Sequence, residues 1–120
     1  MLPVVELVHV FSSAGRFVSA DDLQDFVGMT WTDDGTEVPS PFAREIQLQD
    51  HEPACLECVQ ADTLVPLRDL LDGASYADQW LEHLDPDLRA DAVICVFSPN
   101  KVRNPRGSSL TYCGAFGYTT

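Results

Sequence analysis

The chain has 120 residues and carries 19 Asp and Glu against 7 Lys and Arg, which gives a formal net charge of −12. This length suits one domain, and a hydrophobic fraction of 45% favours a folded core over disorder. No apolar run approaches the roughly 20 residues that span a bilayer. The acidity opposes binding to nucleic-acid phosphates. The composition therefore predicts one folded domain over 1–120 and argues against a membrane span or a nucleic-acid binder.

The first segment of the chain has the composition of a buried strand. Residues 3–11 are rich in β-branched and apolar types. No Lys or Arg precedes this segment, whereas a secretory signal begins with a basic region. We therefore expect a first strand and a cytoplasmic protein.

Two helix starts are marked by capping residues. Ser19, followed three positions later by an acidic residue, predicts the N-cap of an amphipathic helix over 20–28. Ser40, followed by a proline, predicts the start of a short helix over 41–46. The stretch between these helices is rich in Asp, Gly and Pro, which indicates a turn-rich connection.

The middle of the chain predicts a strand followed by two helices. The strand covers 54–60, and an apolar stripe over 64–72, stopped by a glycine, predicts the first helix. A capping box starting at Ser75 predicts the second helix. Tyr76, Trp80 and Leu84 would then share one face, which indicates packing first and a binding groove second.

The last third of the chain predicts two strands. Residues 92–97 form a continuous apolar run, typical of a central strand with both faces covered. Residues 110–118 alternate and contain two glycines, which indicates a final strand that bends. The pattern predicts an α+β fold with about four mainly antiparallel strands and three or four helices packed on the sheet.

The cysteines and histidines do not have the spacing of a metal site. Cys55 and Cys58 are the only close pair, and a strand would place them on opposite faces. The remaining residues of these types are Cys95, Cys113, His9, His51 and His83. We expect structural thiols, no metal and no cofactor. A small Cys/His metal-dependent enzyme or regulator remains the alternative.

No catalytic motif stands out in the sequence. There is no Gly-x-Ser-x-Gly elbow and no Gly-rich phosphate loop followed by a lysine. Residues 33–37 contain three acids but lack the spacing of a calcium loop. We therefore predict no catalytic residues and a protein that is not an enzyme.

The charges are unevenly distributed. Every Asp and Glu lies before residue 92, whereas Lys101, Arg103 and Arg106 crowd one loop near the C-terminus. These bases form either a solvated loop that pairs with the acidic body or a contact with a partner.

The order of several short motifs resembles a known family. In chain order these motifs are Arg16-Phe17-Val18-Ser19, Asp34-Gly35, Val38-Pro39-Ser40-Pro41-Phe42-Ala43, Leu70-Leu71-Asp72-Gly73-Ala74-Ser75-Tyr76, Ala90-Asp91-Ala92-Val93-Ile94-Cys95-Val96-Phe97 and Tyr112-Cys113-Gly114-Ala115-Phe116-Gly117-Tyr118. Their order and spacing resemble the immunity protein twenty-two family of bacterial polymorphic toxin systems. The resemblance covers nearly the whole chain.

The resemblance implies a protein that binds and neutralises one cognate toxin domain in a one-to-one complex. It further implies a basic toxin, a nuclease such as a tRNA-cleaving ribonuclease, from a contact-dependent growth inhibition system. Inhibition would block the active site or the approach of the substrate. A generic acidic adaptor is a second alternative. Eight acidic residues are the candidates for binding the partner: Asp21, Asp22, Asp25, Asp33, Asp34, Glu37, Asp50 and Glu52.

Overall fold

The computed structural model describes residues 4–49 and 52–120. Its helices and strands are, in chain order, β1 (Val5–Ser13), α1 (Ala20–Val27), β2 (Thr30–Trp31), β3 (Glu37–Val38), α2 (Pro41–Ile46), β4 (Leu48–Gln49), β5 (Leu56–Pro66), α3 (Leu67–Leu70), α4 (Ala77–Trp80), β6 (Arg89–Phe97), β7 (Lys101–Val102) and β8 (Thr111–Thr119). Single turns of 3₁₀ helix occupy Pro53–Cys55, Leu81–His83 and Pro105–Gly107.

The four long strands form one sheet in the order β5-β6-β1-β8. All three pairings are antiparallel. Two further pairs of two-residue strands, β2 with β3 and β4 with β7, lie outside this sheet. The predicted α+β class is therefore confirmed, with helices packed on an antiparallel sheet. None of the helices in the described part of the chain is both long and apolar enough to cross a membrane.

The central strand β6 is buried on both faces, as its apolar run predicts. Its side chains alternate between two separate cores. Those in the first core are Ala90, Val93, Cys95 and Phe97, and those in the second are Ala92, Ile94 and Val96. The sheet therefore needs a helical layer on each face.

The first core lies between the sheet and the segment from α3 to the 3₁₀ turn after α4. Trp80 is fully buried there, with its ring stacked near Phe116 at a centroid distance of 6.1 Å. Its indole N–H donates to the carbonyl oxygen of Ser75 at 3.1 Å. Leu67 and Leu71 are also fully buried in this layer.

The second core lies between the opposite face of the sheet and helices α1 and α2. The fully buried Phe11 of β1 meets Phe42 of α2 edge to face, at a centroid distance of 5.0 Å. Phe26 of α1 lies 5.7 Å from the same Phe42 ring. These aromatic contacts join both helices to the sheet.

Both predicted N-caps are confirmed. The Ser19 hydroxyl accepts a hydrogen bond from the backbone N–H of Asp22 at 3.2 Å, and α1 follows. The Ser40 hydroxyl accepts from the N–H of Ala43 at 3.0 Å, and α2 begins at Pro41. Each cap satisfies a backbone donor that the first helical turn leaves unpaired.

The helix predicted over 64–72 is largely wrong. Strand β5 continues to Pro66 because Val65 and Pro66 pair with the start of β6 after a bulge in the register. Only Leu67–Leu70 is helical. The predicted strand over 54–60 likewise begins later, at Leu56, after a turn of 3₁₀ helix. Pairing with β6 therefore overrides the helical spacing of the leucines.

The predicted capping box at Ser75 is also wrong. The Ser75 N–H donates to the Glu57 carboxylate at 3.0 Å and its hydroxyl bonds the same group, so Ser75 does not cap a helix. Tyr76 takes a left-handed conformation, with φ of 58°, before α4 begins. Its ring leaves the face of Trp80 and Leu84 and stacks on Tyr118. The three residues therefore do not share one helical face.

Replacing the buried tryptophan should cost far more stability than replacing the exposed one. Trp80→Ala should lower the free energy of unfolding by about 3–5 kcal/mol, because it removes a fully buried indole and leaves a cavity. Trp31→Ala, at a side chain that is 62% exposed, should change it by less than about 0.5 kcal/mol. Urea denaturation followed by circular dichroism measures both. Equal losses would contradict this assignment of the core.

Candidate partner-binding site

A cleft of about 450 Å³ opens between the end of α1, strand β2 and the start of β5. We call it the Trp31 cleft, and its walls are formed by Gln24, Val27, Gly28, Met29, Trp31, Pro53, Leu56 and Cys58. Trp31 is 62% exposed, the largest apolar side chain that the described surface offers to solvent. An exposed tryptophan beside a cleft is typical of a protein-binding surface.

The end of α1 shapes one wall of the cleft. The helix buries Leu23, Phe26 and Val27 and leaves Gln24 exposed. It ends at Gly28, whose N–H donates to the Gln24 carbonyl oxygen at 2.7 Å. A Cβ atom at Gly28 would lie 2.7 Å from that same oxygen, so the close approach requires glycine. This tight exit leads the chain directly into β2 and Trp31.

The hairpin of β2 and β3 shapes the outer wall. Trp31 pairs with Glu37 across the two strands. In the turn, the Asp34 carboxylate accepts the N–H of Thr36 at 3.0 Å and the hydroxyl of Thr32. These hydrogen bonds lower the pKa of Asp34 to about 2, and the bond from the Thr32 hydroxyl has the largest effect. Asp34 therefore stays negatively charged throughout the physiological pH range.

Three of the predicted acidic residues adjoin residues of the cleft in the chain or by strand pairing, and we call them the acidic rim. Asp25 follows Gln24 on α1, Glu37 faces Trp31 across the hairpin, and Glu52 precedes Pro53. All three are exposed. Strand pairing places Glu37 directly opposite Trp31, whereas Asp25 and Glu52 adjoin the cleft through their chain neighbours.

The other predicted acids lie farther from Trp31. Asp33 and Asp34 occupy the exposed turn of the hairpin. Asp21 and Asp22 lie in the first turn of α1, at the opposite end of the helix from the cleft. The Asp22 carboxylate accepts the N–H of Val18 at 3.1 Å and so helps to cap the helix. Asp50 lies outside the described residues.

The arginines do not neutralise this acidic surface. Within residues 4–49 and 52–120 none of them forms an ion pair with a carboxylate, and the ion pair found there joins His83 to Glu82 at 3.8 Å. Arg16 instead lies over the Phe26 ring at 4.4 Å, and Arg106 lies 6.0 Å from the Tyr112 ring. Among the described residues, Arg106 forms no ion pair of the kind that the first interpretation of its loop predicts. Most of the negative charge faces solvent.

The described cysteines and histidines do not come together as a set of metal ligands. Cys55 packs against the first core, whereas Cys58 lies on the Trp31 cleft, so the two thiols point away from each other. Burial raises the pKa of the Cys95 thiol, which suits an inert core residue. His9 bonds the Tyr112 hydroxyl at 2.9 Å. Among the described residues, no three His, Cys, Asp or Glu side chains could hold a metal ion together.

Trp31 is not among the partner-binding residues that the sequence predicted. The stretch over 30–40 is polar and rich in turns, and this composition indicates only a connection. A large aromatic residue in such a segment, with no apolar residues at helical spacing around it, is a signal of an exposed anchor. The position of Leu56 and Cys58 in the same cleft depends on the tertiary structure.

The fold and this surface together define a small acidic α+β domain. Residues 8–119 match the family Immunity protein 22, and the chain therefore belongs to that family. It is an immunity protein, and its partner is a toxin. Neither the curated proteins nor the solved structures contain a match to this chain.

The low pKa of Asp34 can be tested through its hydroxyl donor. Thr32→Val should raise the pKa of Asp34 from about 2 toward the ordinary value of roughly 3.9, because the largest stabilising hydrogen bond is lost. Titration of the side-chain carboxyl carbon by NMR gives the midpoint. Thr30→Val, in the same hairpin but without a hydrogen bond to Asp34, is the matched control. An unchanged midpoint in Thr32→Val would contradict the assignment.

Proposed function

We propose that this immunity protein neutralises a basic nuclease toxin in the cytoplasm by binding it one-to-one through the Trp31 cleft and its acidic rim. The complex blocks the toxin's active site or the approach of its substrate. The toxin belongs to a polymorphic or contact-dependent growth inhibition system, and a tRNA-cleaving ribonuclease fits the same chemistry. The observation that carries the proposal is an exposed tryptophan that pairs with Glu37 across the hairpin, on a surface where no described arginine forms an ion pair with a carboxylate.

The electrostatics favour a nuclease as the partner. A nuclease must attract phosphates, so its substrate cleft is cationic. A protein with a net charge of −12 accelerates association with such a cleft by about 10–10³ at low salt. The same acidic rim repels nucleic acid. The immunity protein therefore competes with the substrate for one cationic surface.

The Trp31 cleft supplies the apolar part of the interface. Aromatic residues at the centre of an interface, shielded from water by a polar rim, commonly dominate the binding energy. Trp31 shares its cleft with Met29 and Leu56 and has Glu37 opposite it in the hairpin, while Asp25 and Glu52 adjoin cleft residues in the chain. A tight complex buries about 800 Å² on each partner. That is roughly a ninth of the 7023 Å² surface of this protein.

The direct test uses the toxin domain encoded by the neighbouring upstream gene. Calorimetry should show a one-to-one complex, coexpression should protect cells, and added immunity protein should stop cleavage of tRNA or DNA by the toxin in vitro. Persisting toxicity together with no complex would overturn the proposal. A complex with a toxin that cleaves no nucleic acid would overturn the nuclease assignment alone.

Charge reversal at the hairpin should slow association. The triple variant Asp33→Lys, Asp34→Lys and Glu37→Lys should reduce the association rate roughly tenfold or more at low salt. The difference should shrink as ionic strength rises, because salt screens exposed charges. Stopped-flow fluorescence of Trp31 gives the rates.

The matched control carries the same change in charge on the opposite side of the sheet. It combines Asp72→Lys, Glu82→Lys and Asp87→Lys, all at exposed positions near the first-core layer. This control should slow association less than the hairpin variant does. Equal rates in the two variants would show that net charge alone steers the toxin and that the hairpin has no special role.

Removing the exposed tryptophan should weaken the complex without unfolding the protein. Trp31→Ala should raise the dissociation constant at least tenfold, about 1.4 kcal/mol, chiefly through faster dissociation. Surface plasmon resonance measures both rate constants. Val18→Ala, at a 90% exposed apolar residue outside the cleft, is the control and should leave both rates unchanged. Equal affinity of Trp31→Ala and the wild type would rule out the Trp31 cleft as the docking site.

A further inference from the structure

A second cavity, of about 370 Å³, lies on the first-core face at the end of the sheet. All four long strands contribute to it, through Glu57 of β5, Phe97 of β6, Glu6 of β1 and Tyr118 of β8. Tyr76, from the segment before α4, completes the wall, and we call the cavity the Tyr76 pocket. Its size is within the range of pockets that enclose a ligand or a long side chain.

Two stacked tyrosines form an aromatic wall of this pocket. The Tyr76 and Tyr118 rings lie 4.7 Å apart with an interplanar angle of 17°. Tyr118 is only 4% exposed, and its hydroxyl accepts the N–H of Ser98 at 3.3 Å, which fixes the inner ring. Tyr76 is 41% exposed. The negative face of a tyrosine ring attracts cations, and Arg most often.

Two carboxylates contribute to the same pocket. Glu57 is fixed by the backbone N–H of Ser75 at 3.0 Å. The Glu6 carboxylate makes no hydrogen bond or ion pair with another described residue, so its charge is available to a ligand. No Lys or Arg is among the described residues of the wall. The pocket is therefore complementary to a cation with an apolar stem.

We propose that the Tyr76 pocket accepts an arginine side chain of the toxin. Arginine fits better than lysine because its planar guanidinium can stack on the tyrosine ring and still donate hydrogen bonds to a carboxylate. The aliphatic stem of the arginine packs against Phe97 and Pro99. This inference rests on the proposed function, since it names the group by which a basic toxin is held.

One partner can reach both sites because they flank the start of β5. Pro53 contributes to the Trp31 cleft, and the next two residues, Ala54 and Cys55, contribute to the Tyr76 pocket. Strand β5 is an edge strand of the sheet, with β6 as its neighbour on one side. A toxin that spans this edge contacts Trp31 at the cleft and inserts its arginine into the Tyr76 pocket.

The test measures toxin affinity for two pocket variants and one control. Glu6→Gln removes the charge but keeps the shape, and Tyr76→Ala removes the exposed ring. Each should raise the dissociation constant about tenfold, as for a residue that anchors an interface. Tyr76→Phe keeps the ring and should bind nearly as tightly as the wild type, which separates loss of stacking from misfolding. Glu82→Gln, at an exposed carboxylate outside the pocket, should have no effect.

The outcomes separate this inference from the proposed function. If the toxin binds the wild type, Glu6→Gln and Tyr76→Ala alike, the pocket takes no arginine, although the proposed function stands. If the toxin does not bind the wild type, an NMR titration with agmatine tests the pocket directly. Agmatine carries the same guanidinium group as arginine. Shifts at Tyr76, Tyr118 and Ser98 that vanish in Glu6→Gln would support the pocket, and their absence in the wild type would overturn it.

Discussion

The burial of β6 on both faces is the constraint on which the rest of the structure depends. Its apolar side chains point alternately into two cores, so the chain must place helices on both sides of the sheet. Helices α1 and α2 cover one face, and the segment from α3 to the turn after α4 covers the other. Both candidate sites form where this coverage ends, beside the start of the edge strand β5.

The negative charge contributes little to holding this fold together. Carboxylates such as those of Asp22, Asp34 and Glu57 accept hydrogen bonds from nearby backbone and hydroxyl groups. Arg16 lies over an aromatic ring, and Arg68 donates to a carbonyl oxygen, rather than to a carboxylate. Unpaired surface carboxylates repel one another, which destabilises the compact state. The two apolar cores offset this repulsion, so most of the charge remains exposed at the surface.

The two tryptophans differ in how deeply they are buried. Trp80 is fully buried and joins α4 to the sheet, whereas Trp31 is 62% exposed on a two-residue strand. Burial of an indole stabilises a fold, and exposure of an indole leaves the same gain in free energy for a partner. The tyrosine pair contains both kinds of side chain, because Tyr118 is buried and Tyr76 is 41% exposed.

Local signals in the sequence determined several elements correctly. The caps at Ser19 and Ser40 fixed the starts of α1 and α2, because each acts within three residues of itself. The apolar run of β6 identified the central strand, and the order of short motifs identified the family. The acidic composition by itself also favours a basic partner, because opposite charges attract at long range. The roles of the individual acids in binding remain predictions.

Only the tertiary structure decided the features that depend on distant contacts. Pairing with β6 extended β5 through the leucine stripe, and the bond from Ser75 to Glu57 removed the expected helix cap. The same rearrangement turned Tyr76 onto Tyr118, a residue 42 positions later in the chain. The Trp31 cleft likewise joins α1, the hairpin and β5. Sequence spacing reports neighbours along one element, whereas a binding surface is built from residues that folding alone brings together.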